Sequence, residues 1–234
     1  MRTLIRHLCP VALSVAPSLT WRVPPPWQSS ASCARARRGT LSQVVASASK
    51  STRDMDVLVC CPYPFLASVA EVCKGSKVKV GAEDVFTESK GAFTGGVAIS
   101  QIKSVGAEYV VVGHSERRHG NIASETDVTF NKKVRVTLDA GLTAILCIGE
   151  TKDEYEAKLN KAVCAIQLSK GLAGVTKEEM SKIVIAYEPV WAIGTGLTAT
   201  PEGAQDIHAY IRSWIADMYD QETADAVRIQ VMIC

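Results

Sequence analysis

The sequence predicts an α/β chain built from six parallel strands alternating with helices. Three observations support this class: short apolar runs suited to burial on both faces, helical segments between them, and ionisable residues that close two of those runs. Parallel crossovers should be right-handed, which leaves a curved, barrel-like arrangement and an open doubly wound sheet as the two architectures the pattern allows. A dinucleotide-binding sheet would place a GxGxxG turn directly after its first strand, but Cys61-Pro62-Tyr63-Pro64 stands there. No linker marks a second domain, and the body is large enough for one core.

Taken in order, residues 41–49 form a weak helical segment and Asp56 to Cys61 reads as the first clear strand. Pro64 to Cys73 offers helical spacing of Phe65, Val69 and Val72. Lys77 to Ala82 is a second strand that runs into the Gly-rich loop 88–96, and Ser100 to Val105 is a short helix. Glu108 to Val112 is strand, and a helix beginning near Glu125 carries Val128, Val134, Val136 and Leu138 toward Gly141. Thr143 to Ile148 is strand and Asp153 to Leu168 a long amphipathic helix. Lys182 to Tyr187 is strand, Pro201 to Tyr219 helix, and Val227 to Val231 the last strand.

Charge is unevenly distributed. The whole chain carries 26 Lys+Arg against 24 Asp+Glu, yet the first acidic residue is Asp54. Before it lie seven arginines, nine serines and the run Pro24-Pro25-Pro26, a composition that reads as an organelle-targeting leader over residues 1–38. Leu8 to Ala16 adds a short apolar core of the kind that begins a two-part address to a plastid. A secretory signal alone and upstream sequence with no sorting role are the alternatives, and a cytoplasmic location is the alternative to the plastid. Lacking a continuous apolar face and holding four prolines within 17–26, the leader is expected to be irregular and exposed. Cleavage near Arg38 would take six positive charges away and move the net charge from +2 to −4. A mildly acidic body of that kind does not favour nucleic acid, and no run of 18 apolar residues could span a bilayer. The eight cysteines are dispersed, with no spacing that suggests zinc; Cys60, Cys61 and Cys147 sit in apolar runs and read as buried thiols.

Chemistry concentrates where two strands end. Glu188 stands immediately after Ile183-Val184-Ile185-Ala186-Tyr187, and burial at the exit of an uncharged strand disfavours the charged form of a carboxylate, which suits it to general-base work. His114 follows Tyr109-Val110-Val111-Val112-Gly113 and precedes a polar segment that can start a short helix. A neutral imidazole there donates a hydrogen bond to a developing oxyanion. Glu116 is a candidate for positioning or proton relay, whereas Arg117 and Arg118 read as loop braces. The run Pro189-Val190-Trp191-Ala192-Ile193-Gly194-Thr195-Gly196, between Pro189 and Pro201, suits a lid with stiff ends and exposed amides able to close on a phosphate.

These residues resemble the triosephosphate isomerase family from about Gly39 to Gln230. Residues 186–196 resemble its base-and-lid signature and 112–118 its electrophile segment. Gly91-Ala92-Phe93-Thr94-Gly95 resembles its dimer-interface loop, and Cys147-Ile148-Gly149-Glu150 the end of its fifth strand. The resemblance implies a (β/α)8 TIM-barrel fold, here incomplete with six parallel strands, and a homodimer that contacts through Phe93, Thr94 and Gly95. It also implies no cofactor or metal, and interconversion of dihydroxyacetone phosphate and D-glyceraldehyde 3-phosphate. Glu188 would then be the base, His114 the electrophile, and Gly194 a lid amide on the phosphate.

The chain departs from that family at both ends. The family's first strand ends in an Asn-x-Lys segment, and Ala34 and Ala36 stand at those positions. Its seventh strand continues into Tyr-Gly-Gly-Ser, where this chain has Val231-Met232-Ile233-Cys234. Gly96, Glu83 and Leu197 stand where the family usually has Glu, Gln and Lys. The expectation is therefore an isomerase that has lost its first and eighth strands. The alternative is a catalytically silent fragment that associates with intact subunits.

Overall fold

The computed structural model describes residues 56–120, 124–193 and 199–232, together with the backbone of 11–15. The chain divides into two compact units, residues 1–110 and 111–234. Among the described residues no helix is long and apolar enough to cross a membrane.

In the first unit, β1 (Val11–Val15), β2 (Asp56–Cys61), β3 (Val78–Ala82) and the start of β4 (Tyr109–Val112) lie side by side. β2 pairs in parallel with β3, from Val57 opposite Val78 to Cys61 opposite Ala82, and β3 pairs in parallel with β4 at Gly81 and Tyr109. Leu58, Val59, Cys60 and Cys61 are all buried, the continuous apolar burial that a strand covered on both faces requires.

β1 corrects the reading of the leader as irregular throughout. It runs antiparallel to β2, with Val11 opposite Cys60 and Val15 opposite Asp56. Two of its five residues, Val11 and Val15, are β-branched, and an edge strand offers unpaired amides and carbonyls to such a segment. The weak helical segment expected at 41–49 lies outside the described residues.

The helix Tyr63–Cys73 buries Leu66, Val69 and Cys73 rather than the expected Phe65, Val69 and Val72, and Phe65 is 42% exposed. Both triplets satisfy a period near 3.6 through the shared Val69. The other two members of each stripe are neighbours in sequence, and packing chooses the stripe carrying Leu66 and Cys73.

The second unit holds the rest of β4, then β5 (Thr143–Ile148), β6 (Ile183–Tyr187) and β7 (Arg228–Val231). β5 and β6 are paired in parallel from Ala144 opposite Ile183 to Ile148 opposite Tyr187, and β6 and β7 from Val184 opposite Arg228 to Tyr187 opposite Val231. Every residue of β5 and β6 is buried. Six strands, β2 to β7, thus take parallel pairings in an αβ order.

The single helix expected over 153–168 is two helices, Lys152–Glu156 and Asn160–Gly171. Thr151 opens the first with a reciprocal cap, its own N–H donating to Glu154 Oε2 at 2.7 Å while Glu154 N–H reaches back to Thr151 Oγ1 at 3.4 Å. Lys158, at φ 59°, turns the chain and ends it. A left-handed lysine carries no glycine signal, so the break is invisible to pattern. In the helix Asp127–Asp139 the buried side chains are Phe130, Lys133, Val134 and Thr137, while Val128, expected on the apolar face, is exposed. Cys60, Cys61 and Cys147 are buried thiols, as are Cys73 and Cys164.

Lys133 is buried because it has a partner. Its ammonium donates to Glu125 Oε2 at 2.7 Å, and Arg117 Nε donates to Glu125 Oε1 at 3.0 Å. Burial pushes the Glu125 carboxyl up, but the bonds from Arg117 and Lys133 outweigh it and hold the group below its ordinary value of 4.5. The unfolded chain then takes up the proton before the folded one. The contribution to stability is complete above the ordinary value and is lost as pH falls through the lower folded value. Urea midpoints measured down an acid series should fall in that window, and Glu125→Gln should flatten that part of the decline.

Candidate active site

The second unit brings the two residues that the sequence picks out into contact. Gly113 closes β4 with φ 81°, a left-handed turn that favours glycine; an added Cβ would stand 3.1 Å from the Cys147 carbonyl. The turn delivers His114 to the N-cap of the short helix Ser115–Arg118. Glu188 extends the β5–β6 ladder by one residue, its N–H donating to the Ile148 carbonyl at 2.7 Å. Its carboxylate is held in the interior, with the residue 1% exposed.

Three donors meet that carboxylate. Ser115 N–H donates to Oε2 at 2.9 Å, Ser115 Oγ donates to Oε1 at 2.8 Å, and His114 Nε2 lies 3.2 Å from Oε1. The backbone N–H of Glu116 donates to His114 Nδ1 at 3.3 Å. An amide can only donate, so Nδ1 accepts and the proton of a neutral imidazole sits on Nε2. The Glu116 carboxylate, 3.8 Å from the same Nδ1, makes no hydrogen bond with an accepting nitrogen and is itself exposed. Glu116 therefore touches His114 through its backbone rather than through its side chain.

The start of the segment that the sequence suggests as a lid is anchored to Glu150. Pro189 precedes a 3-10 helix, Val190–Ala192, and Val190 N–H donates to the Glu150 carbonyl at 3.2 Å. Glu150 is fully buried, and its Oε1 accepts from Tyr187 OH at 2.9 Å and Trp191 Nε1 at 2.8 Å. Burial raises the Glu150 carboxyl above its ordinary range. The Trp191 ring stacks on Tyr155 at 4.2 Å between centroids. Ile193 follows, while Gly194, Thr195 and Gly196 lie outside the described residues.

The other candidate residues are also placed. Arg117 and Arg118 pair with Glu125 and Asp127, as loop braces do. In the first unit, Phe93, Thr94 and Gly95 form an exposed turn, with the Phe93 ring 4.8 Å from that of Phe86. Among the described residues no group of three or more His, Cys, Asp or Glu is arranged to hold a metal ion.

A buried carboxylate beside the N–H of a neutral imidazole is a proton acceptor set next to an oxyanion donor, and it sits at the C-terminal ends of β4 and β6, where barrel enzymes do their chemistry. The triosephosphate isomerase family model matches residues 28–231. The chain belongs to the triosephosphate isomerase family. Curated triosephosphate isomerases are similar to it over about three quarters of its length. That of Carboxydothermus hydrogenoformans is 46% identical over 181 residues, 77% of this chain and 71% of the relative. That of Herpetosiphon aurantiacus is 48% identical over 177 residues, 76% and 70% of the two chains, and that of Clostridium botulinum strain Langeland 46% over 175 residues, 75% and 70%. By family the chain is therefore an enzyme, an isomerase of the TIM-barrel class, with six parallel-paired strands among the described residues.

Sequence reasoning on the triosephosphate isomerase pattern gave no role to Ser115 or Glu150. Ser115 follows His114 in a polar run, and nothing in its spacing announces a bond to a residue 73 positions on. Glu150 is quoted in the fifth-strand motif, but its hold on Trp191 appears only in three dimensions.

Proposed function

We propose that this chain interconverts dihydroxyacetone phosphate and D-glyceraldehyde 3-phosphate by proton transfer through an enediol(ate). The observation that carries the reading is the approach of His114 Nε2 to within 3.2 Å of the Glu188 carboxylate, with the imidazole proton directed there by Glu116 N–H. Glu188 removes the carbon-bound proton and returns it to the neighbouring carbon. His114 donates from Nε2 to the carbonyl oxygen as negative charge gathers on it. Both Glu188 oxygens are engaged by Ser115 and His114, so the serine hydroxyl must release one of them as substrate enters. Gly194 supplies a lid amide to the phosphate, and closure of Pro189 to Gly196 shields the intermediate from water.

The exposed turn at Phe93, Thr94 and Gly95 supports a homodimer contact, and the basic, acid-free leader supports delivery to a plastid. A coupled assay with dihydroxyacetone phosphate tests the reaction. Turnover that disappears in Glu188→Ala is the expected result, and absence of turnover in the unaltered chain favours the silent-fragment alternative. N-terminal sequencing of protein from isolated organelles tests the address: recovery of intact Met1 from cytosol alone would remove it.

A further inference from the structure

We propose that Gln167 is a positioning residue for Glu188. The helix Asn160–Gly171 presents Cys164, Gln167, Leu168 and Gly171 to the interior, and Gln167 is the one among them with a polar side-chain amide, 6% exposed. That amide grips a single residue of the main chain with both ends. Gly149 N–H donates to Gln167 Oε1 at 2.8 Å, and Gln167 Nε2 donates to the Gly149 carbonyl at 3.1 Å.

The strand geometry explains why the grip is needed. Residues on either side of Gly149 spend their carbonyls on the segment that carries the base: Ile148 O accepts from Glu188 N–H and Glu150 O accepts from Val190 N–H. Along an extended chain the N–H and C=O of one residue point to one side and those of the next residue to the other. Gly149 therefore faces away from Glu188, and its two polar groups need a partner from elsewhere. The Gln167 amide has the donor and acceptor of a peptide and takes the place of a neighbouring strand.

The grip is transmitted because there is no slack. An added Cβ at Gly149 would stand 1.7 Å from the Glu188 carbonyl oxygen, so the two backbones are in closest approach. Releasing Gly149 releases Ile148 O and Glu150 O as a unit, and with them the amides of Glu188 and Val190. Gln167 thus sets the base and the first turn of the lid together without touching substrate.

The role rests on the reading of Glu188 as the base, and two readouts keep the two ideas separable. Gln167→Met keeps volume and removes both bonds, leaving buried peptide groups unpaired. Gln167→Glu keeps an acceptor for Gly149 N–H and, ionised, loses the donor to its carbonyl. In the isomerase assay kcat should fall on the order of 10- to 100-fold for the methionine variant, with KM little changed and the glutamate variant intermediate. In amide hydrogen exchange, Glu188 and Val190 should lose protection relative to Ile185 within β6. If the unaltered chain does not isomerise the substrate, the proposed function fails and the exchange result alone decides the placement of Glu188. Exchange at Glu188 and Val190 that rises no more than at Ile185 overturns the proposal, as does an unchanged kcat in an active protein. Failure of both variants to fold would also overturn it, by marking Gln167 as a general structural residue.

Discussion

With Glu188 as the proposed base, Glu188→Gln should lower kcat for dihydroxyacetone phosphate by about 10²- to 10⁴-fold, the range that a positioned general base contributes. Glutamine has nearly the volume of glutamate, and the buried site can accept it. Its carbonyl oxygen takes the place of Oε2 and accepts from Ser115 N–H; its NH2 takes the place of Oε1 and donates to Ser115 Oγ, whose hydroxyl can rotate. One contact turns unfavourable, because His114 Nε2–H now faces another donor at a spacing of 3.2 Å. That loss costs about 1–3 kcal/mol and leaves the fold in place. A kinetic defect much larger than that loss is what the proposed role of Glu188 as the base predicts. A coupled assay beside a urea titration separates the two, and turnover near that of the unaltered chain would show that another group takes the proton.

Gly149→Ala destabilises the protein by about 3 kcal/mol or more, at or beyond the upper end of ordinary overpacking. The new Cβ would meet the Glu188 carbonyl oxygen at 1.7 Å and its carbon at 2.7 Å. Both are backbone atoms, so no side-chain rotation relieves the contact. The strands have to part, and the bond from Glu188 N–H to Ile148 O lengthens first. For a domain whose total stability is about 5–15 kcal/mol, that is a large fraction of the whole. A urea midpoint equal to that of the unaltered chain would mean that the two backbones separate without cost.

Strands were the most legible part of the sequence. Asp56–Cys61 and Thr143–Ile148 have the limits that their apolar runs suggest, because a strand buried on both faces has no polar interruption to blur its ends. Helices were legible in place but not in rotation or continuity. Val69 belongs to two possible stripes, and Lys158 breaks a run whose periodicity continues across it. His114 and Glu188 stood out because each is an ionisable residue at the end of an apolar run. Ser115 and Gln167 did not, since a serine in a polar segment and a glutamine on a helix look like solvated surface until the fold sets them against Glu188 and Gly149. β1 was hidden by its surroundings: its five residues fall within the apolar run Leu8 to Ala16, which in an acid-free, arginine-rich segment reads as the core of a targeting leader rather than as a strand.

Trp191 gives the start of the proposed lid an optical signature. Its indole is stacked on the Tyr155 ring with 22° between the planes, and its Nε1 donates to a carboxylate fixed in the interior. Lifting Val190–Ala192 must break both contacts at once, exchanging an aromatic neighbour and a buried acceptor for different surroundings. The emission energy and intensity of an indole respond to each of those changes. With Trp21, Trp27 and Trp214 replaced, the docking of Val190–Ala192 can therefore be followed in the fluorescence of Trp191 as triose phosphate is added.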